Sequence, residues 1–269
     1  MEPEPEPTAP FRLEALTATR GLRGDRVVHR ERHELVDELA DRIQEAALAR
    51  VQAAGVFHLA LSGGSTPREL YQLLMIEPGH RLFPWAHTHL WLVDDRCVRF
   101  DDERSNYRMI RELIVEQCDL PELQVHPMPV LEAGGDRQYE RDLRRELLGG
   151  DGGKGRLDFI LLGMGGDGHT ASLFPHTPAL AERERWVVFN DGDAVAEPRP
   201  RMTMTYPLIN RSRQIALLVT GAPKHARLRQ VALAGEDIEN LPVTGVQAAD
   251  ENSTLTWYLD HAAATGKMG

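Results

Sequence analysis

Apolar side chains recur at every fourth position from Leu35 through Leu39, Ile43 and Ala47 to Val51. That period gathers them on one side of a helix, so residues 31–54 are predicted as a long amphipathic helix closed by Gly55. Residues 56–61 are instead a short continuous apolar run, ending in Ser62-Gly63-Gly64-Ser65-Thr66-Pro67. A strand enters a glycine turn there, and the proline suits the first turn of a following helix. Leu70, Tyr71 and Leu74 mark that helix's buried side. The alternation repeats. Residues 89–93 read as a strand ending at Asp94-Asp95-Arg96, residues 104–118 as a helix stopped before Pro121, and residues 136–148 as a helix closed by Gly149 and Gly150. Residues 157–162 are the strongest strand pattern and run into Gly163-Met164-Gly165-Gly166-Asp167-Gly168-His169. Residues 186–189, 214–219 and 255–258 are further strands. The second of these ends at Thr220-Gly221-Ala222-Pro223-Lys224, with a helix following to Ala234.

Continuous apolar strands separated by helices imply a mainly parallel sheet with helices on both faces. The reading is a single-domain, Rossmann-like α/β fold over residues 11–269, behind an acidic, proline-rich tail at residues 1–10 expected to be disordered. The glycine-rich stretch 149–155 lies between a helix and a strand and reads as a loop. Ligands of such sheets bind beyond the carboxyl ends of the strands, where the polar segments fall.

Composition narrows the partners. Lys plus Arg number 31 and Asp plus Glu 41, a formal net charge of −10. A broad nucleic-acid or anionic-membrane surface needs a basic excess and is not expected, although a small basic pocket is compatible with this balance. No stretch approaches the ~20 apolar residues of a membrane span. The start lacks the basic and apolar regions of a secretion signal, so a cytoplasmic protein is expected. Cys97 and Cys118 form no CxxC pair and read as two reduced thiols.

The candidate chemistry sits at the strand ends. Ser62, Gly63, Gly64, Ser65 and Thr66 combine close backbone approach, hydroxyl donors and a helix start, which suits a phosphate; a plain capped turn fits them too. Asp94 and Arg96 can orient a base and hold an anionic oxygen, or form a helix cap and a surface ion pair. Gly163, Gly165 and Gly168 satisfy G-x-G-x-x-G, but Pro175 and Pro178 leave room for only a turn or two where a dinucleotide site needs a helix, and a dinucleotide is not expected. The same loop presents His169 beside Asp167, a candidate general base near neutral pH. Arg201 and Lys224 are two cations suited to a dianion, or two solvated charges. His87-Thr88-His89 places two imidazoles on one strand face without an evident third ligand, and no metal site is expected.

Together the motifs resemble the 6-phosphogluconolactonase family. The resemblance rests on residues 61–67, on residues 93–98 with Ser105-Asn106-Tyr107, on residues 162–175, on residues 201–205 with Pro207-Leu208-Ile209-Asn210, and on residues 220–224. The family usually has Asp-Glu-Arg where this chain has Asp94-Asp95-Arg96. The resemblance implies metal-free hydrolysis of 6-phospho-D-glucono-1,5-lactone without a cofactor, by a protein commonly monomeric. His169 would be the base, with Asp94 and Arg96 in catalysis. Ser62, Gly63, Gly64, Ser65, Thr66, Arg201 and Lys224, with Gly165 and Asp167, would bind the substrate. Glucosamine-6-phosphate deaminase-isomerases share several motifs but typically carry a glutamate a few residues after the histidine. Here no carboxylate follows until Glu182, which favours the lactonase. A catalytically silent sugar-phosphate-binding protein is the third alternative.

Overall fold

The computed structural model describes residues 10–149, 155–192 and 194–267. Its first half runs α1 (Pro10–Ala18), β1 (Asp25–His29), α2 (Arg32–Ala54), β2 (Phe57–Leu61), α3 (Arg68–Ile76), β3 (Thr88–Leu92), β4 (Asp94–Arg96), α4 (Asn106–Leu113), β5 (Val125–His126) and α5 (Gly135–Gly149). Then follow β6 (Phe159–Gly163), β7 (Val187–Asn190), β8 (Arg201–Met204), α6 (Tyr206–Ile209), β9 (Gln214–Val219), α7 (His225–Ala234), β10 (Thr254–Asp260) and α8 (His261–Thr265). Of the expected tail, residues 1–9 lie outside the described residues, while Pro10 opens α1. Residues 150–154 of the expected 149–155 loop also lie outside them; Gly149 ends α5.

The predicted parallel sheet has seven strands in the order β1-β10-β9-β6-β2-β3-β5, every pair parallel. All five residues of β2 are buried, as a strand covered on both faces requires. Helix α2 starts with a capping box between Glu31 and Glu34 and ends at Gly55 in the left-handed conformation, φ 78°. Its buried stripe includes Leu35, Leu39, Ile43 and Ala47, the positions that set the period.

The chain crosses the sheet in two directions. From β2 it moves outward through β3 to β5; from β6 it moves the other way through β9 to β10. The switch lies between β2 and β6, and a crevice opens beyond their carboxyl ends. The glycine loops after β2 and β6 flank it, with the ends of β3 and β9 alongside.

Three elements depart from the sequence reading. Asp94-Asp95-Arg96 is not a loop at a strand end but strand β4, the edge of a second, antiparallel sheet ordered β4-β8-β7. Arg201 therefore lies within strand β8 rather than beyond a strand end. The helix read over residues 104–118 is shorter. Ser105 caps α4 by accepting from the Arg108 amide, and the helix ends at Leu113, ahead of a short 3₁₀ turn at Val115–Gln117.

His87 and His89 do not share a strand face, because His87 closes a 3₁₀ turn just before β3. Strand register gives His89 other neighbours. It lies opposite His58 of β2, and Trp91 lies opposite His126 of β5. His126 stacks on Trp91 at 3.6 Å between ring centroids, and its Nε2 is 3.0 Å from His89 Nδ1. The Trp91 indole N–H donates to His58 Nδ1 at 3.3 Å. Burial, reinforced by the neighbouring imidazoles, pushes His58 and His126 down to about 3. Burial also lowers His89, against the pull of Glu146.

His58 and His126 stay neutral in the folded chain while an unfolded one takes up protons below about pH 6.5. Acid therefore favours unfolding from about pH 6.5 downward, by up to about 1.4 kcal/mol per pH unit for each histidine. His126→Phe keeps a stacking ring and removes one such site. Urea denaturation between pH 7 and 4.5 should show a shallower loss of stability in that variant, and equal slopes would remove the cluster from acid sensitivity.

Candidate active site

The crevice at the switch point holds a cavity of about 490 Å³. Every candidate site residue lines it except Asp167. The loop after β2 forms one wall. Gly64 takes a left-handed turn, φ 97°, and a Cβ at Gly63 would come within 1.9 Å of the Asn106 side chain. The Tyr71 hydroxyl of α3 holds this loop by donating to the Ser62 carbonyl at 2.6 Å. Among the described residues no side chain caps the start of α3, which leaves its first amides open to an anion beside the Ser65 and Thr66 side chains that line the cavity. Ser62 Oγ is buried at the cavity wall without a partner among the described residues.

The opposite wall is the loop after β6. Asp167 Oδ1 lies 2.6 Å from His169 Nδ1 and also accepts from the His169 amide at 3.1 Å. Burial raises the Asp167 carboxyl, but these interactions with His169 outweigh it and hold it down at about 2. An ionised Asp167 accepts the Nδ1 proton and leaves the Nε2 lone pair free. The hydrogen bond that orients His169 thus comes from Asp167, two residues away on the same loop, rather than from Asp94. Gly165 is fixed by the same packing: its amide donates to the His169 carbonyl at 2.8 Å, and a Cβ there would lie 2.2 Å from His169 Nδ1. Phe174 lies against the imidazole, ring centroids 4.3 Å apart.

The small sheet supplies the charge. Arg96 and Arg201 are direct cross-strand partners, and both line the cavity. Like charges so placed are destabilising by roughly 0.2–1 kcal/mol unless an anion offsets them. Burial, then the charge of Arg96, lowers the Arg201 pKa. The Arg201 guanidinium is held by the Ala196 carbonyl at 2.9 Å and the Glu197 carbonyl at 3.2 Å. Arg96 donates to the Arg104 carbonyl. Lys224 enters from the loop after β9, where its Nζ donates to the Met164 carbonyl at 2.7 Å, and burial lowers its pKa.

Neighbouring acids divide between site and scaffold. Asp94 lines the cavity. Asp95 is fully buried and does not. It accepts from the amides of Arg96 at 2.8 Å, Asn106 at 2.7 Å and Tyr107 at 3.1 Å, and from the Ser105 hydroxyl at 3.1 Å, closing the start of α4. Burial pushes its carboxyl up to about 6 despite these donors. Phe174, Ala171, Ser172 and Glu197 also line the cavity and were not singled out from the sequence.

Residues 30–257 match the family described as glucosamine-6-phosphate isomerases/6-phosphogluconolactonase. The chain belongs to this family. A 6-phosphogluconolactonase of Synechocystis is 39% identical over 82% of this chain and 88% of its own length. A human GDH/6PGL endoplasmic bifunctional protein is also 39% identical over 87% of this chain, but the chain spans only 29% of that protein's length. Among solved structures, a 6-phosphogluconolactonase of Thermotoga maritima superposes with a TM-score of 0.73 at 26% identity, covering 88% of this chain and 99% of its own. The family resemblance and the mainly parallel α/β fold expected from the sequence are both borne out. Among the described residues, no helix of this family member is long and apolar enough to cross a membrane.

The paired guanidiniums predict an anion-dependent stability. Inorganic phosphate at tenfold its Kd should raise the melting temperature by about 2–5 °C. Arg201→Gln should lose most of that shift in a thermal melt with and without phosphate. No shift in the unsubstituted protein would remove the anion site.

Proposed function

We propose that the chain hydrolyses 6-phospho-D-glucono-1,5-lactone to 6-phospho-D-gluconate, acting as a carboxylic ester hydrolase without a metal or cofactor. One observation carries the reading. His169 Nδ1 is engaged by Asp167, and its ring lines a cavity whose other walls offer a glycine cradle and three cations.

The substrate's phosphate sits against the Ser62–Thr66 loop and the start of α3, with Arg201 and Lys224 as counter-charges. This remote anchor fixes the sugar, so that the carbonyl meets the base without further loss of freedom. His169 Nε2 takes a proton from water as its oxygen bonds to the lactone carbon. Asp94 orients that water, and Arg96 stabilises the oxyanion that develops on the carbonyl oxygen. Collapse breaks the bond to the ring oxygen. The imidazolium returns its proton to that oxygen, and the new carboxylic acid ionises in solution. Asp167 supports the imidazolium through this cycle.

The demand on the protein is modest. δ-Lactones open spontaneously in water, so the 10²–10⁴-fold of general-base catalysis plus positioning suffices. Glu182, the first acid after His169, accepts from the Glu184 and Arg185 amides at 2.7 and 2.9 Å and does not line the cavity. That arrangement supports the lactonase over a deaminase. The same reading makes the protein a cytoplasmic monomer acting on a free sugar phosphate, supported by its net charge of −10 and its free thiols at Cys97 and Cys118.

The test generates the lactone in situ with glucose-6-phosphate dehydrogenase and follows its decay above the spontaneous rate. Acceleration is expected; release of ammonia from glucosamine 6-phosphate with no effect on the lactone would overturn the reading. His169→Ala should lower kcat by roughly 10²–10⁴-fold while calorimetry shows 6-phosphogluconate still bound. Asp167→Asn should cost part of that, about 10- to 100-fold. Lys224→Ala should raise KM by roughly tenfold or more, the loss of a charged hydrogen bond. Unchanged KM would detach Lys224 from the phosphate.

A further inference from the structure

His169 sits on a loop of the large sheet and Asp94 on a strand of the small one, so something must hold the two parts of the site together. Ser172, three residues after His169, is fully buried, and each of its polar groups is bonded to a different strand of the small sheet. Its amide donates to Thr203 Oγ1 of β8 at 3.1 Å. Its carbonyl accepts from Asn190 Nδ2 of β7 at 2.9 Å. Its hydroxyl donates to Asp94 Oδ2 of β4 at 2.6 Å. Thr203 is itself the cross-strand partner of Asp94. On the other side the loop is tied back to the large sheet, where Thr170 Oγ1 donates to the Gly163 carbonyl at 2.8 Å. Between the two anchors Ala171 adopts φ 51°, an uncommon conformation for a residue with a side chain, of a kind that persists only when its surroundings over-determine it.

The Ser172 hydroxyl has the shortest bond of the three and aims at a carboxylate of the cavity. Asp94 is only 6% exposed and forms no ion pair among the described residues. A carboxylate so placed is costly unless hydrogen-bonded, and a hydrogen bond to a charged group is directional as well as strong. Plain satisfaction of a buried hydroxyl would need only a nearby backbone carbonyl.

We propose that Ser172 is a positioning residue for the lactonase reaction: its hydroxyl fixes the Asp94 carboxylate relative to His169 and acts on catalysis only through Asp94. The proposal rests on the lactonase reading of the same cavity. It sets Ser172 apart from the phosphate-binding residues, whose loss raises KM.

The test is a double-mutant cycle of Ser172→Ala with Asp94→Ala, read as kcat and KM for the lactone, with 6-phosphogluconate binding by calorimetry and a thermal melt as checks on the fold. Ser172→Ala is expected to lower kcat roughly 10- to 100-fold, with KM and product affinity within about twofold. In the Asp94→Ala background it should cause no further loss, since coupled residues are non-additive. An equal loss in both backgrounds, a change in KM alone, or a kcat within twofold of the unsubstituted protein would each overturn the proposal. Ser172→Cys keeps the size of the side chain with a weak donor. It should show the same kcat-specific loss, and it decides the matter if the alanine variant does not fold. An unsubstituted protein that leaves lactone decay unchanged overturns the lactonase reading and this inference with it. An active one with unaffected variants overturns this inference alone.

Discussion

Parallel pairing of β2 with β6 is the constraint on which the site depends. Leu59, Ala60 and Leu61 lie opposite Phe159, Ile160 and Leu161, so the two strands end side by side. Because the chain travels outward in opposite directions from this pair, no crossover helix covers the crevice beyond it. The glycine loops that follow must therefore face each other. The ends of β3 and β9, one strand further out on each side, bring Asp94 and Lys224 to the same place. A slip of one residue between β2 and β6 would turn the buried faces over and move the Ser62–Thr66 loop away from His169.

Charge in this site is a matter of where the backbone holds it rather than of how much there is. The chain is acidic overall, yet Arg96 and Arg201 are forced together by antiparallel register and both border the cavity. Solvated arginines would separate; these are held by backbone carbonyls at residues 104, 196 and 197. Lys224 is likewise tied to a carbonyl of the opposing loop. The cations are thus arranged before any ligand arrives, which limits the ordering cost of binding an anion. A net charge of −10 has little bearing on that local field, since interactions beyond about 8–10 Å are screened at ordinary ionic strength.

Much of this was legible in the chain, for physical reasons that also mark where legibility stops. Central strands such as β2, β6 and β9 are covered on both faces and so are continuous apolar runs. The edge strand β1, Asp-Arg-Val-Val-His, is only partly buried and lacks that signature, while β5 is two residues long. Strand β4 was hidden because aspartate is depleted in strands. It is tolerated here because Asp95 closes the start of α4, a partnership between positions ten to twelve residues apart. The histidine cluster depends on register between three strands, which no local pattern encodes. Glycine, histidine and carboxylate positions at the site were readable because their chemistry is local to each loop. How Asp94 is placed against His169 was not, because that depends on how the two sheets are joined.

The two adjacent acids of β4 show why the shorter middle residue is compatible with the fold. Side chains alternate along a strand, so Asp94 and Asp95 face opposite ways. One reaches the cavity, where Ser172 bonds it. The other is turned into the protein, where the start of α4 gives it three donors at 2.7–3.1 Å and the next amide of its own strand a fourth at 2.8 Å. A glutamate at position 95 would reach the same helix start one methylene further out, so an aspartate requires α4 to approach the strand more closely. Asn106 makes that approach. Its amide donates to Asp95, its side chain donates to the Asp94 carbonyl at 2.9 Å, and the same side chain occupies the space a Cβ at Gly63 would need. The cap of a helix, the backbone of a site strand and the glycine of the cradle are therefore one packing unit, and the missing methylene is a constraint on scaffold geometry rather than on the reacting groups.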